Sequence, residues 1–69
     1  MNKIRYINMC IVEFGKHFGM TSLLAYRYLK KYNGLAYLDK YYEAEHQQSL
    51  SDTIRGLKNY CKRYGGSIG

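Results

Sequence analysis

Two histidines, two cysteines and nine tyrosines are the residues in this chain of 69 whose types could do chemistry. His17 follows Glu13 by four positions, the spacing that would set a general base against an orienting carboxylate on one helix face. No third group completes the set, and the plain reading is a surface pair that adds roughly 0.2–0.5 kcal/mol to a helix. Cys10 and Cys61 both fall on apolar stripes, where a free thiol behaves as a small hydrophobe and its pKa rises. They form no Cys-x-x-Cys or Cys/His cluster for a zinc ion, and two cysteines are too few for a secreted disulfide scaffold of this size. Gly15, Gly19, Gly34 and Gly56 are scattered, and Gly65-Gly66 follows a helix rather than opening one, so no loop is built to cradle a phosphate. The residues therefore speak against an enzyme, and neither a cofactor nor a metal is expected.

Binding chemistry is better represented. Six of the nine tyrosines fall between positions 26 and 42. A domain this small has too few interior positions to bury them all, and tyrosine suits interfaces because an apolar ring carries a polar tip. The expected contact surface joins Tyr37, Tyr41, Tyr42 and His46, with a two-fold homodimer as the form a self-contact would take. His46 has a plainer alternative, a carbonyl cap at a helix C-terminus. The second binding chemistry is charge: eleven Lys and Arg against five Asp and Glu give +6. Arg27, Lys30 and Lys31 on one helix and Arg55, Lys58, Lys62 and Arg63 on another would make a single phosphate-binding patch if those helices are neighbours. A helix-turn-helix fits poorly, because its reading helix would carry Asp39, Glu43 and Glu45 against Lys40 alone.

These residues need helices to position them. Ile4, Ile7, Ile11, Phe14 and Phe18 recur at spacings of three and four and predict a helix from residue 2 or 3 to 18, with Cys10 at the edge of the stripe and Gly19 as its stop. Thr21 or Ser22 caps a second helix, with Ala25, Tyr28, Leu29 and Tyr32 inward, closed by Asn33-Gly34. A third runs from 35 to 45 on Leu35, Leu38 and Tyr42, with Asp39, Lys40 and Glu43 toward solvent. A fourth, capped by Ser49 or Ser51, buries Leu50, Ile54, Leu57, Cys61 and Tyr64 and stops at Gly65-Gly66. No segment alternates as a strand does, and there is no proline to interrupt a helix. The expectation is one all-α domain over residues 1–69, a compact bundle of four short amphipathic helices with a frayed tail at 66–69. No apolar run approaches a membrane span, no signal peptide is legible, and the chain reads as cytoplasmic with reduced thiols.

Several of these residues also carry a resemblance. Leu29-Lys30-Lys31-Tyr32, Tyr37-Leu38 with Tyr42 and His46, and the capped start Ser49-Leu50-Ser51-Asp52, behind an N-terminal helix bearing Ile7 and Phe14, resemble a family of very small bacterial proteins of unknown function. The resemblance covers nearly the whole chain. Members of that family are often encoded beside toxins similar to ADP-ribosyltransferases. The resemblance thus implies an accessory or antitoxin-like protein whose partner is such a toxin, and it extends the contact surface to Gln47, where relatives often carry Thr. Protein–protein interaction is the leading expectation, and nucleic-acid binding through the two basic helix faces is the alternative.

Overall fold

In the computed structural model, which describes residues 2–68, the elements run α1 (Lys3–Phe18), α2 (Ser22–Lys31), α3 (Gly34–Lys40), α4 (Tyr42–Glu45) and α5 (Leu50–Arg63). No strand occurs among the described residues, so the fold is an all-α bundle. Local chemistry sets most boundaries. The side chains of Asn2, Thr21 and Ser49 accept from the backbone N–H of Arg5, Leu24 and Asp52 and so cap α1, α2 and α5. Gly19 ends α1 in the left-handed conformation, φ 68°, and returns its N–H to Gly15 O.

Between α2 and α3 the left-handed residue is Asn33, φ 66°. Gly34 does something else than terminate a helix: it opens α3 and is buried, and a Cβ there would stand 2.6 Å from Leu29 Cδ2 and 3.0 Å from Cys61 Sγ. The absent side chain lets α2, α3 and α5 meet at one point.

The core consists of Tyr6, Cys10, Ile11 and Phe14 from α1, Ala25 and Leu29 from α2, Leu38 from α3, and Ile54, Leu57 and Cys61 from α5. α1 and α3 are central: α2 and α5 each pack on both of them. Phe14 is fully buried and sits among rings, 4.8 Å from Phe18 and 5.7 Å from Tyr28 between centroids.

Four expectations need correction. Ile4 is 73% exposed, while Tyr6 is buried in its place. The rings of Tyr42 and His46 close over Tyr6, and Ile4, on the far edge of the stripe, has no such cover. The helix expected from 35 to 45 breaks at Tyr41, φ −107° and ψ 21°, and resumes as the single turn α4. The break divides the adjacent rings: Tyr41 packs at a tilt against Tyr37, and Tyr42 turns to Tyr6. Tyr64 is exposed rather than inward, because α5 ends at Arg63 and Tyr64 leaves the helical path as its cap. The tail is held at two of its residues: Gly66 is buried and its N–H donates to Cys61 O at 3.0 Å, and Ile68 packs on the core, while Ser67 between them is exposed. Gly69, the last residue of the expected tail, lies outside the described residues.

Candidate interaction surfaces

α3 and α5 each carry one tyrosine inside the helix, Tyr37 and Tyr60, and one at the C-cap a turn later, Tyr41 and Tyr64, and packing of the two helices joins them. Ring centroids run Tyr41 to Tyr37 at 5.0 Å, Tyr37 to Tyr60 at 4.5 Å, and Tyr60 to Tyr64 at 5.1 Å. The rings are mutually inclined at 43–48°, within the geometry that aromatic quadrupoles favour. This four-ring ladder is anchored in its middle and open at its ends: Tyr41 is 42% and Tyr64 51% exposed. Lys40 Nζ lies 5.4 Å from the Tyr41 centroid. Tyr37, Gly56, Asn59, Tyr60 and Arg63 enclose a recess of about 160 Å³ beside it. The Tyr60 hydroxyl is held above its ordinary pKa first by its hydrogen bond with Tyr64, and that of Tyr37 by burial and then by the charge of Glu45. Both phenols are neutral near pH 7, with Tyr60 engaged by Tyr64 and Tyr37 by Glu45.

A second aromatic group lies on the other side of the break. The His46 ring stacks on Tyr42 at 4.5 Å and 14°, and its Nδ1–H donates to Tyr42 O at 2.7 Å. Beneath them runs a buried polar chain. The Tyr6 hydroxyl donates to Thr53 Oγ1 at 3.2 Å, and Thr53 Oγ1 donates to Glu45 O at 3.3 Å. Glu45 is itself buried, with its carboxylate accepting from Gln48 Nε2 at 2.7 Å. Among the described residues no buried side-chain polar atom lacks a partner. Burial pushes Tyr6 up to about 12, and Cys10 and Cys61 up to about 11 each. The two thiols are buried and protonated at neutral pH, which makes them poor nucleophiles.

The five residues expected to form one contact surface are thus divided. Tyr37 and Tyr41 belong to the ladder, Tyr42 and His46 to the group over Tyr6, and Gln47 is exposed just beyond α4. The ladder gains Tyr60 and Tyr64, which the sequence reading missed. Their signal was present: Tyr60 and Tyr64 repeat on α5 the i, i+4 spacing of Tyr37 and Tyr41 on α3. The basic residues also separate. Arg27, Lys30 and Lys31 ride on α2, and Arg55, Lys58, Lys62 and Arg63 on α5; the two helices share neighbours rather than a broad common face. Lys30 and Lys31 lie over Tyr26 and Tyr32 at 6.0 and 5.4 Å. Glu13 is paired with Lys16 at 3.5 Å, three residues on, instead of with His17. His17 faces a cleft with Phe18, Ser51, Ile54, Arg55 and Lys58. Among the described residues there is no group of three or more His, Cys, Asp or Glu that could hold a metal ion, and no helix long and apolar enough to cross a membrane.

Fold and surface together define a small all-α helical domain with aromatic rings on display. The chain belongs to the family described as Protein of unknown function (DUF3791), whose model matches residues 5–63, from the first turn of α1 to the last residue of α5. No curated protein and no solved structure matches it.

Proposed function

We propose that this chain is a protein–protein interaction module that binds through the tyrosine ladder of α3 and α5. The observation that carries the reading is a continuous file of four rings whose two ends remain about half exposed. A partner that covers Tyr41 and Tyr64 removes apolar ring from water at about 25 cal/mol per Å², while the hydroxyl tips keep their hydrogen bonds. The rings are already ordered by stacking, so little side-chain freedom is left to lose on binding. The resemblance to relatives encoded beside ADP-ribosyltransferase-like toxins makes such an enzyme the expected partner, with this chain as its accessory or antitoxin-like protein.

The test is sedimentation of the full chain over a wide concentration range, alone and with an ADP-ribosyltransferase-like toxin from the same genome. The double variant Tyr41→Ser, Tyr64→Ser is measured beside it. The expected result is association that the double variant loses while its stability stays within about 0.5 kcal/mol of the parent, as at other surface positions. A chain that stays monomeric with or without the enzyme, or an association indifferent to both substitutions, refutes the proposal.

A further inference from the structure

We propose that the cleft between the last turn of α1 and the first half of α5 binds an acidic segment of a protein partner, seating a carboxylate between Arg55 and Lys58 and an apolar side chain against Phe18. The inference rests on the reading of the chain as an interaction module, but it concerns a site separate from the ladder. The cleft encloses about 320 Å³, at the low end of the roughly 300–1,000 Å³ typical of ligand sites. His17 and Phe18 close α1 on one wall. Ser51, Ile54, Arg55 and Lys58 recur at three- and four-residue spacing along α5 and form the other.

The wall groups have complementary chemistry. Lys58 Nζ lies 5.7 Å from the Phe18 centroid, so an ammonium is held beside an aromatic surface. Arg55 reaches Asp52 only at 3.7 Å, and both side chains are more than half exposed. A pair so open contributes about 0–1 kcal/mol and leaves guanidinium donors for a second carboxylate, which can be held through two parallel hydrogen bonds. The Ser51 hydroxyl adds a neutral donor. Two cations beside an apolar floor within one small cleft suit a Glu or Asp followed by a hydrophobic residue.

A nucleic-acid strand is the poorer fit. Phosphates follow one another along a strand and want a continuous basic track. Here Asp52 lies beside Arg55, Glu13 sits one turn before His17 and holds Lys16, and the other basic cluster is on α2, so the cations make two isolated points and no track.

The test titrates the full ¹⁵N-labelled chain with a capped peptide, Gly-Glu-Leu-Glu-Glu-Phe-Glu-Gly, with its counterpart carrying Gln for every Glu, and with oligothymidylate. Amide shifts should centre on Phe18, Ser51, Arg55 and Lys58. Binding should weaken about tenfold or more both in Arg55→Gln, Lys58→Gln and with the Gln peptide, the scale of lost charge-assisted hydrogen bonds. The Tyr41→Ser, Tyr64→Ser chain should bind the peptide unchanged. No shifts at millimolar peptide, shifts centred on the ladder, equal affinity for the Gln peptide, or tighter occupation of the cleft by oligothymidylate would each overturn the inference. An association lost in the ladder variant alongside a silent cleft would overturn it and leave the ladder proposal standing.

Discussion

Alanine at Gly34 and at Gly56 should move stability in opposite directions. At Gly34 the new Cβ would meet Leu29 Cδ2 at 2.6 Å, Cys61 Sγ at 3.0 Å and Leu29 Cβ at 3.3 Å. Carbon atoms prefer about 3.5–4.0 Å, so the Leu29 methyl must retreat by roughly 1 Å. It has nowhere to go, since Leu29 and Cys61 are both fully buried. Overpacking of this kind costs about 1–3 kcal/mol, against which alanine's better helix propensity returns at most about 1 kcal/mol. The net loss is about 1–2 kcal/mol, a large part of the roughly 3–5 kcal/mol that so small a core supplies. Gly56 lies within α5, and a Cβ there meets nothing within 4 Å. Only the propensity gain of about 0.5–1 kcal/mol remains. Urea unfolding reads both. With a slope of about 1 kcal/mol per molar for a domain of this size, the midpoint should fall by about 1–2 M in Gly34→Ala and rise by about 0.5–1 M in Gly56→Ala. A rise in Gly34→Ala, or shifts of the same sign in both variants, would refute the claim that α2, α3 and α5 meet at Gly34 without room for a methyl group.

Thr53→Val keeps the shape of a fully buried side chain but takes the acceptor from the Tyr6 hydroxyl and one of two donors from the Glu45 carbonyl, which keeps the Gln48 N–H; it should cost about 1–3 kcal/mol by urea unfolding, with Thr53→Ser recovering part of the loss. Alkali should destabilise the fold. Cys10 and Cys61 are raised from 9.0 to about 11, so below pH 9 both states hold their protons and stability is flat, and above it the unfolded state releases protons that the folded state retains, until about pH 11. The urea midpoint should therefore fall across that window, and less so in Cys10→Ala. At neutral pH a thiol reagent should label either cysteine only as fast as the chain opens. Binding of oligothymidylate, followed by anisotropy, should be weak and should vanish as salt approaches physiological strength. A complex that survives that salt and is lost in Arg55→Ala or Lys58→Ala would instead establish nucleic-acid binding.

α1 and α5 were legible because each combines a long apolar stripe with a side-chain cap, so periodicity and boundary agree. The segment after Asn33 was not, because its apolar spacing runs on through Tyr41 and periodicity does not register a break that preserves it. The break follows from tertiary demand: Tyr37 and Tyr41 are drawn to α5, and Tyr42 to Tyr6. Burial of Glu45 was illegible for the same reason, since its partners Gln48 and Tyr37 converge only after α4 has turned. Thr53 could have been found. It stands four residues before Leu57 and eight before Cys61, on the face that is buried, but a hydroxyl residue is easily read as solvated. For the interaction surface, the tyrosines between positions 26 and 42 stand out by their density, whereas Tyr64 reads as a core position, Tyr60 belongs to no apolar stripe, and the pairing across helices needs the fold.

The ladder also has an optical consequence. The chain contains nine tyrosines and no tryptophan, and neighbouring rings in the file stand 4.5–5.1 Å apart. Excitation absorbed by one phenol can pass along the file before it is emitted, so the polarisation of the native emission falls below what tumbling alone would give and recovers on unfolding. Any tryptophan brought against Tyr41 or Tyr64 by a partner becomes the acceptor at the end of that file. Docking at this face would then quench tyrosine emission and sensitise the partner's tryptophan, and the protein reports its own binding without a dye.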